Sequence, residues 1–205
     1  MKAKVKFCGM TRSADIETAE KLSVTFVGFV LVPSSPRFVT PTEAQKLRES
    51  VRSAKVVGVF AEMSVADIER NANALQLDFV QLHDAPDIDR VKSISKPVIQ
   101  AFRGVPDLLI LEAFLTHCPY VMIDKREGED EVDFDAVAML PLHIRSKLFL
   151  AGGLTPGNVR MAVDRIQPFA VDCARGIESE PGIKNHHRML AFFHALSYFD
   201  SPQHK

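Results

Sequence analysis

Cysteine is scarce in this chain. Cys8, Cys118 and Cys173 form an odd set with no CxxC spacing, which argues against a disulfide framework and a structural zinc site and leaves a reducing cytoplasm as the expected setting. Long apolar runs are missing as well. No stretch approaches the roughly 18 residues that a membrane span needs, and the charged start Met1-Lys2-Ala3-Lys4 leads into no apolar segment of the export type. Nor is there an excess of either charge, since 25 Lys and Arg stand against 26 Asp and Glu. A chain without a basic footprint is not expected to bind nucleic acid or a membrane surface, so a small molecule is the expected partner.

What is present is ordinary globular material. Of 205 residues, 46% are hydrophobic and 25% charged, enough for a substantial core in one large domain. Eight short β-rich runs recur at residues 5–8, 26–31, 56–60, 79–82, 97–101, 120–123, 148–151 and 169–173. Between them lie segments of helical periodicity, such as Ala14-Thr18-Leu22, Ala44-Leu47-Val51, Ile68-Ala72-Leu75 and Leu108-Leu111-Leu115. Ser13, Thr40-Pro41, Ser64 and Thr155-Pro156 read as helix starts. A last helix over residues 185–198 carries Met189, Leu190, Phe192, Phe193 and Leu196 at core spacing. Eight βα units in so short a chain leave only short loops. They predict a single α/β domain, a (β/α)8 TIM barrel of eight parallel strands over residues 1–199, with 200–205 a frayed tail. An open doubly wound sheet permits the same alternation, although no GxGxxG follows the first strand.

In a barrel, active sites form where strands end. Reading those positions in order gives Cys8-Gly9, Ser35-Pro36-Arg37, Glu62, His83-Asp84, Arg103, Asp124, Gly152-Gly153 and the run Asp172-Cys173-Ala174-Arg175-Gly176. Gly152-Gly153 before Leu154-Thr155-Pro156 offers backbone amides to an anion, or is simply a tight turn. The loops after strands 7 and 8 are the usual barrel location for phosphate, so Gly152, Gly153, Asp172, Arg175 and Gly176 are the candidate phosphate-binding set. Residues 125–133, KREGEDEVD, sit where a mobile active-site loop belongs, or form a solvated loop. His186-His187 and His117-Cys118 lack a third partner, so no metal is expected.

Six strings appear in order along the chain: VKFCGMT at 5–11, SSPRFV at 34–39, VGVF at 57–60, VQLH at 80–83, LAGGLTPGNV at 150–159 and FAVDCARGIESEPGIKN at 169–185. Together they resemble the phosphoribosylanthranilate isomerase family of tryptophan biosynthesis. The resemblance implies an Amadori rearrangement of N-(5-phosphoribosyl)anthranilate that needs no cofactor or metal, in a monomer or homodimer. By the match, Cys8 falls on the family's general base and Asp124 on its general acid. Arg37 falls on an arginine that can meet the anthranilate carboxylate with its planar fork, and His83 on a histidine near the substrate. Each has a structural alternative: a buried small side chain for Cys8, a turn or cap for Asp124, a surface ion pair for Arg37, a half-buried structural ring for His83. A neutral thiol needs positive charge nearby to ionise. Strand alternation puts Lys4, Lys6 and Cys8 on one face, and barrel closure is expected to bring Asp172 within reach of Lys6. That pair either tunes Cys8 or only holds the barrel.

Three positions depart from the family pattern. A glycine-rich loop is replaced by Gly128-Glu129-Asp130-Glu131, which is expected to repel an anionic ligand unless Lys125 and Arg126 compensate. A serine pair becomes Ala174-Arg175, and a glycine becomes Asp84. They leave two further readings open: an isomerase of altered specificity for another phosphorylated aminoaldose, and a barrel that binds a phosphorylated metabolite without turnover.

Overall fold

Runs of Val, Ile and Phe bury both of their faces when helices cover the outside of a parallel sheet and side chains fill its inside. In the computed structural model, which describes residues 3–197, the eight runs do so. The strands are β1 (Lys4–Cys8), β2 (Phe26–Val30), β3 (Lys55–Phe60), β4 (Phe79–Leu82), β5 (Val98–Arg103), β6 (Tyr120–Asp124), β7 (Leu148–Leu150) and β8 (Ala170–Cys173). All pair in parallel, each with the next, and β8 returns to β1 to close the barrel. Closure excludes the open doubly wound sheet.

The helices are α1 (Ser13–Lys21), α2 (Pro41–Arg48), α3 (Val65–Ala74), α4 (Ile88–Lys92), α5 (Leu108–Leu115), α6 (Phe134–Ala138), α7 (Leu142–Arg145), α8 (Val159–Ile166) and α9 (His186–Ser197). The sixth unit thus carries two short helices. After β8 the chain makes a short 3-10 turn (Arg175–Ile177) and an antiparallel hairpin, β9 (Glu178–Glu180) and β10 (Ile183–Lys184), before α9.

The barrel interior is graded from floor to mouth. At the floor Phe26, Phe79, Tyr120, Phe149 and Phe169 pack ring against ring, with Tyr120 and Phe169 stacked at 4.3 Å between centroids. Buried polar side chains begin above them with Lys6 and Gln81. Cys8, Val30 and Val59 form a small cluster toward the mouth.

Several expected details shift. Ser13 is the first residue of α1 and not its cap; Arg12 takes the cap position without a side-chain cap bond. The buried face of α1 is Asp15, Ile16 and Ala19, and the Ala14-Thr18-Leu22 stripe is displaced because Arg12 clamps Asp15 inward through two hydrogen bonds. Thr155-Pro156 lies in a turn, and α8 begins only at Val159, because the Asn158 side chain accepts from the Thr155 amide and holds that turn closed. Leu108 and Leu190 are exposed. Tyr198 and the tail at 200–205 lie outside the described residues.

Thr40 does cap α2. It forms a reciprocal box with Glu43, with Pro41 at the first helical position. Thr40→Ala therefore costs about 1 kcal/mol and lowers the melting temperature by roughly 2–4 °C, read by thermal circular dichroism with an unchanged spectrum at low temperature.

Candidate active site

Strands end at the mouth with their inward side chains aimed into it, and the turns directly after them must bring polar backbone close to those side chains. Gly152 shows the constraint. It adopts φ +88°, and a Cβ there would lie 2.4 Å from the Lys125 amide nitrogen and 2.9 Å from the Asp124 carboxylate. Loop 7 is thus pressed against the end of β6. Gly176 does the same between loops 7 and 8, since a Cβ there would stand 2.0 Å from the Leu154 carbonyl, which also accepts from the Cys173 thiol at 3.2 Å.

These contacts shape a cleft of about 890 Å³ lined by Arg37, Asp124, Gly152, Gly153, Asp172, Arg175, Gly176 and Arg188 among others. Cys8 and His83 stand beside it. Cys8 is almost wholly buried, and His83 Nε2 lies 3.6 Å from Asp124 Oδ2. Burial pushes the Asp124 carboxyl up, a rise that His83 and the Lys125 amide only partly offset. Burial likewise pushes the His83 imidazole down.

Register puts Lys6 opposite Asp172 across the closure, and Lys6 Nζ donates to Asp172 Oδ1 at 2.8 Å. Burial works against the Lys6 charge, yet Asp172 and Cys8 outweigh it and the ammonium is pushed up to about 12. It stays charged. Cys8 responds to the opposite balance: burial raises its thiol, and Lys6 draws it back only in part.

Arg37 is held from the far side of the mouth. Its Nε and Nη2 donate to the two oxygens of Glu178 at 2.9 and 2.6 Å. Lys184 Nζ completes the cluster, donating to Glu178 at 2.7 Å and to the Cys8 carbonyl at 2.5 Å. Glu178, Lys184 and Arg188, which donates to the Glu178 carbonyl, are site residues that the strand-end survey missed. The available signal was ESEPGIK at 178–184, where Pro181-Gly182 marks a hairpin turn that folds Glu178 and Lys184 together.

Other strand-end candidates fall elsewhere. Arg103 is exposed and pairs with Glu127, while Glu62 and Asp84 line a separate cavity. Asp84 is neutralised by Arg90 at 2.9 Å. In the acidic loop, Lys125 Nζ donates to the Glu129 carbonyl, the Arg126 amide to the Glu129 carboxylate, and Asn158 to Glu131.

Fold and cleft define the class: a (β/α)8 barrel enzyme whose cleft at the C-terminal mouth is lined by Arg37, Arg175 and Arg188. A family model described as N-(5'phosphoribosyl)anthranilate (PRA) isomerase matches residues 5–195. The chain is 34% identical to the N-(5'-phosphoribosyl)anthranilate isomerase of Maridesulfovibrio salexigens, over 94% of this chain and 97% of that protein. Its fold matches the crystal structure of phosphoribosyl anthranilate isomerase from Thermus thermophilus with a TM-score of 0.85 and 30% identity, covering 95% and 98% of the two chains. It also matches a phosphoribosyl anthranilate isomerase solved in complex with reduced 1-(o-carboxyphenylamino)-1-deoxyribulose 5-phosphate, with a TM-score of 0.81 and 32% identity over 95% and 98% of the chains. The chain belongs to the N-(5'-phosphoribosyl)anthranilate isomerase family.

Gly28 on β2 is where Cys8 and Lys6 meet, since a Cβ there would lie 2.8 Å from Cys8 Sγ and 3.2 Å from Lys6 Nζ. Gly28→Ala should cost about 1–3 kcal/mol of stability, while turnover falls far more than the folded fraction. Denaturation midpoint and specific activity measured on one preparation check this.

Proposed function

We propose that this chain carries out the Amadori rearrangement of N-(5′-phosphoribosyl)anthranilate to 1-(2-carboxyphenylamino)-1-deoxyribulose 5-phosphate, with Asp124 as general acid and Cys8 as general base. The observation that carries the reading is the order around the mouth. Asp124 ends β6, Gly152-Gly153 follows β7, Asp172 to Gly176 follow β8, and Cys8 ends β1. The anion cleft lies between the acid and the base, so a sugar whose phosphate is seated there has one on each side.

The chemical steps accord with those positions. Asp124 gives its proton to the furanose ring oxygen, the C1–O bond breaks, and the anthranilate nitrogen supplies the electron pair that makes the iminium. Cys8, as thiolate, takes the C2 proton, and the C2–H electrons neutralise the iminium to an enolamine. Tautomerisation gives the C2 ketone. Gly152, Gly153, Gly176 and Arg175 receive the phosphate, Arg37 meets the aryl carboxylate, and His83 orients Asp124. Asp172, itself an anion, contributes through Lys6 and not by touching phosphate. No step needs a cofactor or a metal.

The working microstate has Asp124 protonated and Cys8 ionised. Below the Asp124 pKa its population falls because the thiol regains its proton while the acid is already full. Above the Cys8 pKa it falls because the acid is lost while the thiolate is already full. Burial raises both groups, so kcat/KM should be flat through neutrality, with its acid limb above the ordinary aspartate value of about 3.9 and its alkaline limb above the ordinary thiol value of about 8.5. Fluorescence decay of freshly made phosphoribosylanthranilate measures it. Cys8→Ala and Asp124→Asn should each lower kcat by about 100-fold or more and leave the phosphate end of the ligand bound. No acceleration by the wild type would overturn the assignment and leave a binding-only barrel.

A further inference from the structure

Arg37 cannot attract a carboxylate if the carboxylate that orients it also cancels it. Glu178 holds Nε and Nη2 of Arg37 at 2.9 and 2.6 Å, and the pair alone is neutral. A third charge sits on the same carboxylate: Lys184 Nζ is 2.7 Å from Glu178 Oε1, with no exposed side-chain surface. Two cations and one carboxylate leave a net charge of plus one, and Arg37 is the member of the three that lines the cleft. We propose that Lys184 is a specificity-determining positioning residue, whose buried ammonium neutralises Glu178 so that Arg37 is both oriented and net cationic toward the aryl carboxylate of the substrate. The inference rests on the proposed isomerase activity.

Burying Glu178 and Lys184 and half-burying Arg37 is costly, and each needs its remaining bonds satisfied. They are. Glu178 Oε1 also accepts from the Gly182 amide at 3.2 Å, and Lys184 Nζ also donates to the carbonyls of Cys8 at 2.5 Å and Ala174 at 3.3 Å. Although burial opposes it, hydrogen bonds from Arg37 and Lys184 hold the Glu178 carboxyl below its usual range. Arg37 itself packs along the Gly9 backbone, where a Cβ would stand 2.6 Å from Arg37 Cδ. The fork is therefore fixed from two sides, and among the described residues no hydrogen bond engages its Nη1.

The test separates charge from scaffolding. Two probes are titrated into the full chain: reduced 1-(o-carboxyphenylamino)-1-deoxyribulose 5-phosphate, and the same compound made from aniline, which lacks the carboxylate. Lys184→Met should weaken the first by about tenfold and leave the second within error. With phosphoribosylanthranilate, KM should rise in parallel. Glu178→Gln/Lys184→Met restores plus one, so binding of the carboxylated probe should recover toward wild type even though the double variant has lost more bonds. A merely structural role predicts the reverse, with the double variant at least as weak as the worse single one and both probes affected alike. That result overturns the proposal. Should Lys184→Met fail to fold, Lys184→Gln decides the matter, because it keeps a donor beside Glu178 and the bidentate hold on Arg37 while removing the charge. The carboxylated probe alone should then weaken, and an equal loss of both probes, or no loss of either, in a folded protein refutes the idea. Failure of the wild type to bind either probe would instead strike the isomerase reading.

Discussion

A lysine with no exposed side-chain surface sits opposite an aspartate 166 positions away in the chain, and the barrel closes through that pair. A buried ammonium deprived of its carboxylate would be an uncompensated charge in a low-dielectric interior, so the register that pairs Lys6 with Asp172 excludes its neighbours. A slip by one residue would turn Lys6 outward into the apolar helix layer along with every alternate side chain of β1. The mouth inherits this register. Cys8 is two residues beyond Lys6 on the same face, and the cleft-lining run that ends at Gly176 begins at Asp172 itself.

A second ionic layer rests on the first and obeys a different logic. Lys6 faces the Cys8 side chain, whereas Lys184 holds the Cys8 backbone carbonyl and ties it to the Ala174 carbonyl of loop 8. Two lysines thus bracket one thiol, and burial still raises it. A neutral resting thiol is the unreactive form. The proposed acid is raised by the same cause, and there the shift serves the task directly, because a carboxyl that remains protonated further up the pH scale can donate. One physical circumstance, the burial of both groups, therefore suits the acid at rest and makes the base depend on nearby cations.

The barrel and most of the residues that line its cleft are legible at the strand ends for reasons that are local. Val- and Phe-rich runs with polar ends announce β1 to β8 whatever lies around them, and Gly152-Gly153 before a helix announces a close backbone approach. The closure pair was also legible, since alternation and circular order are arithmetic. What escaped is tertiary in origin. Nothing in Ala14-Thr18-Leu22 reveals that Arg12 will pull Asp15 inward and rotate α1. Glu178 and Lys184 lie past the last barrel strand, in a hairpin that only the finished barrel holds against Arg37. Residues on either side of a Pro-Gly turn read as surface until their partner from loop 2 is known.

The acidic loop shows why charge counted along a sequence is not charge felt in a cleft. Glu127, Glu129 and Glu131 look like a barrier to any phosphorylated ligand, yet each is engaged: Glu127 by Arg103, Glu129 by the Arg126 amide and side chain, Glu131 by Asn158. Asp84 is taken by Arg90 and Asp172 by Lys6. Asp124, raised by burial, carries its negative charge less readily than an exposed aspartate. Among the acidic residues lining the cleft that leaves Asp130, set against Arg37, Lys125, Arg175 and Arg188. Local pairing converts a loop that is acidic in composition into a cleft that is cationic in effect, and a substrate with a phosphate at one end and a carboxylate at the other is the kind of ligand such a cleft attracts. In the proposed reading Arg175 brings a full charge to the phosphate end of such a ligand, so attraction there should weaken as salt is added.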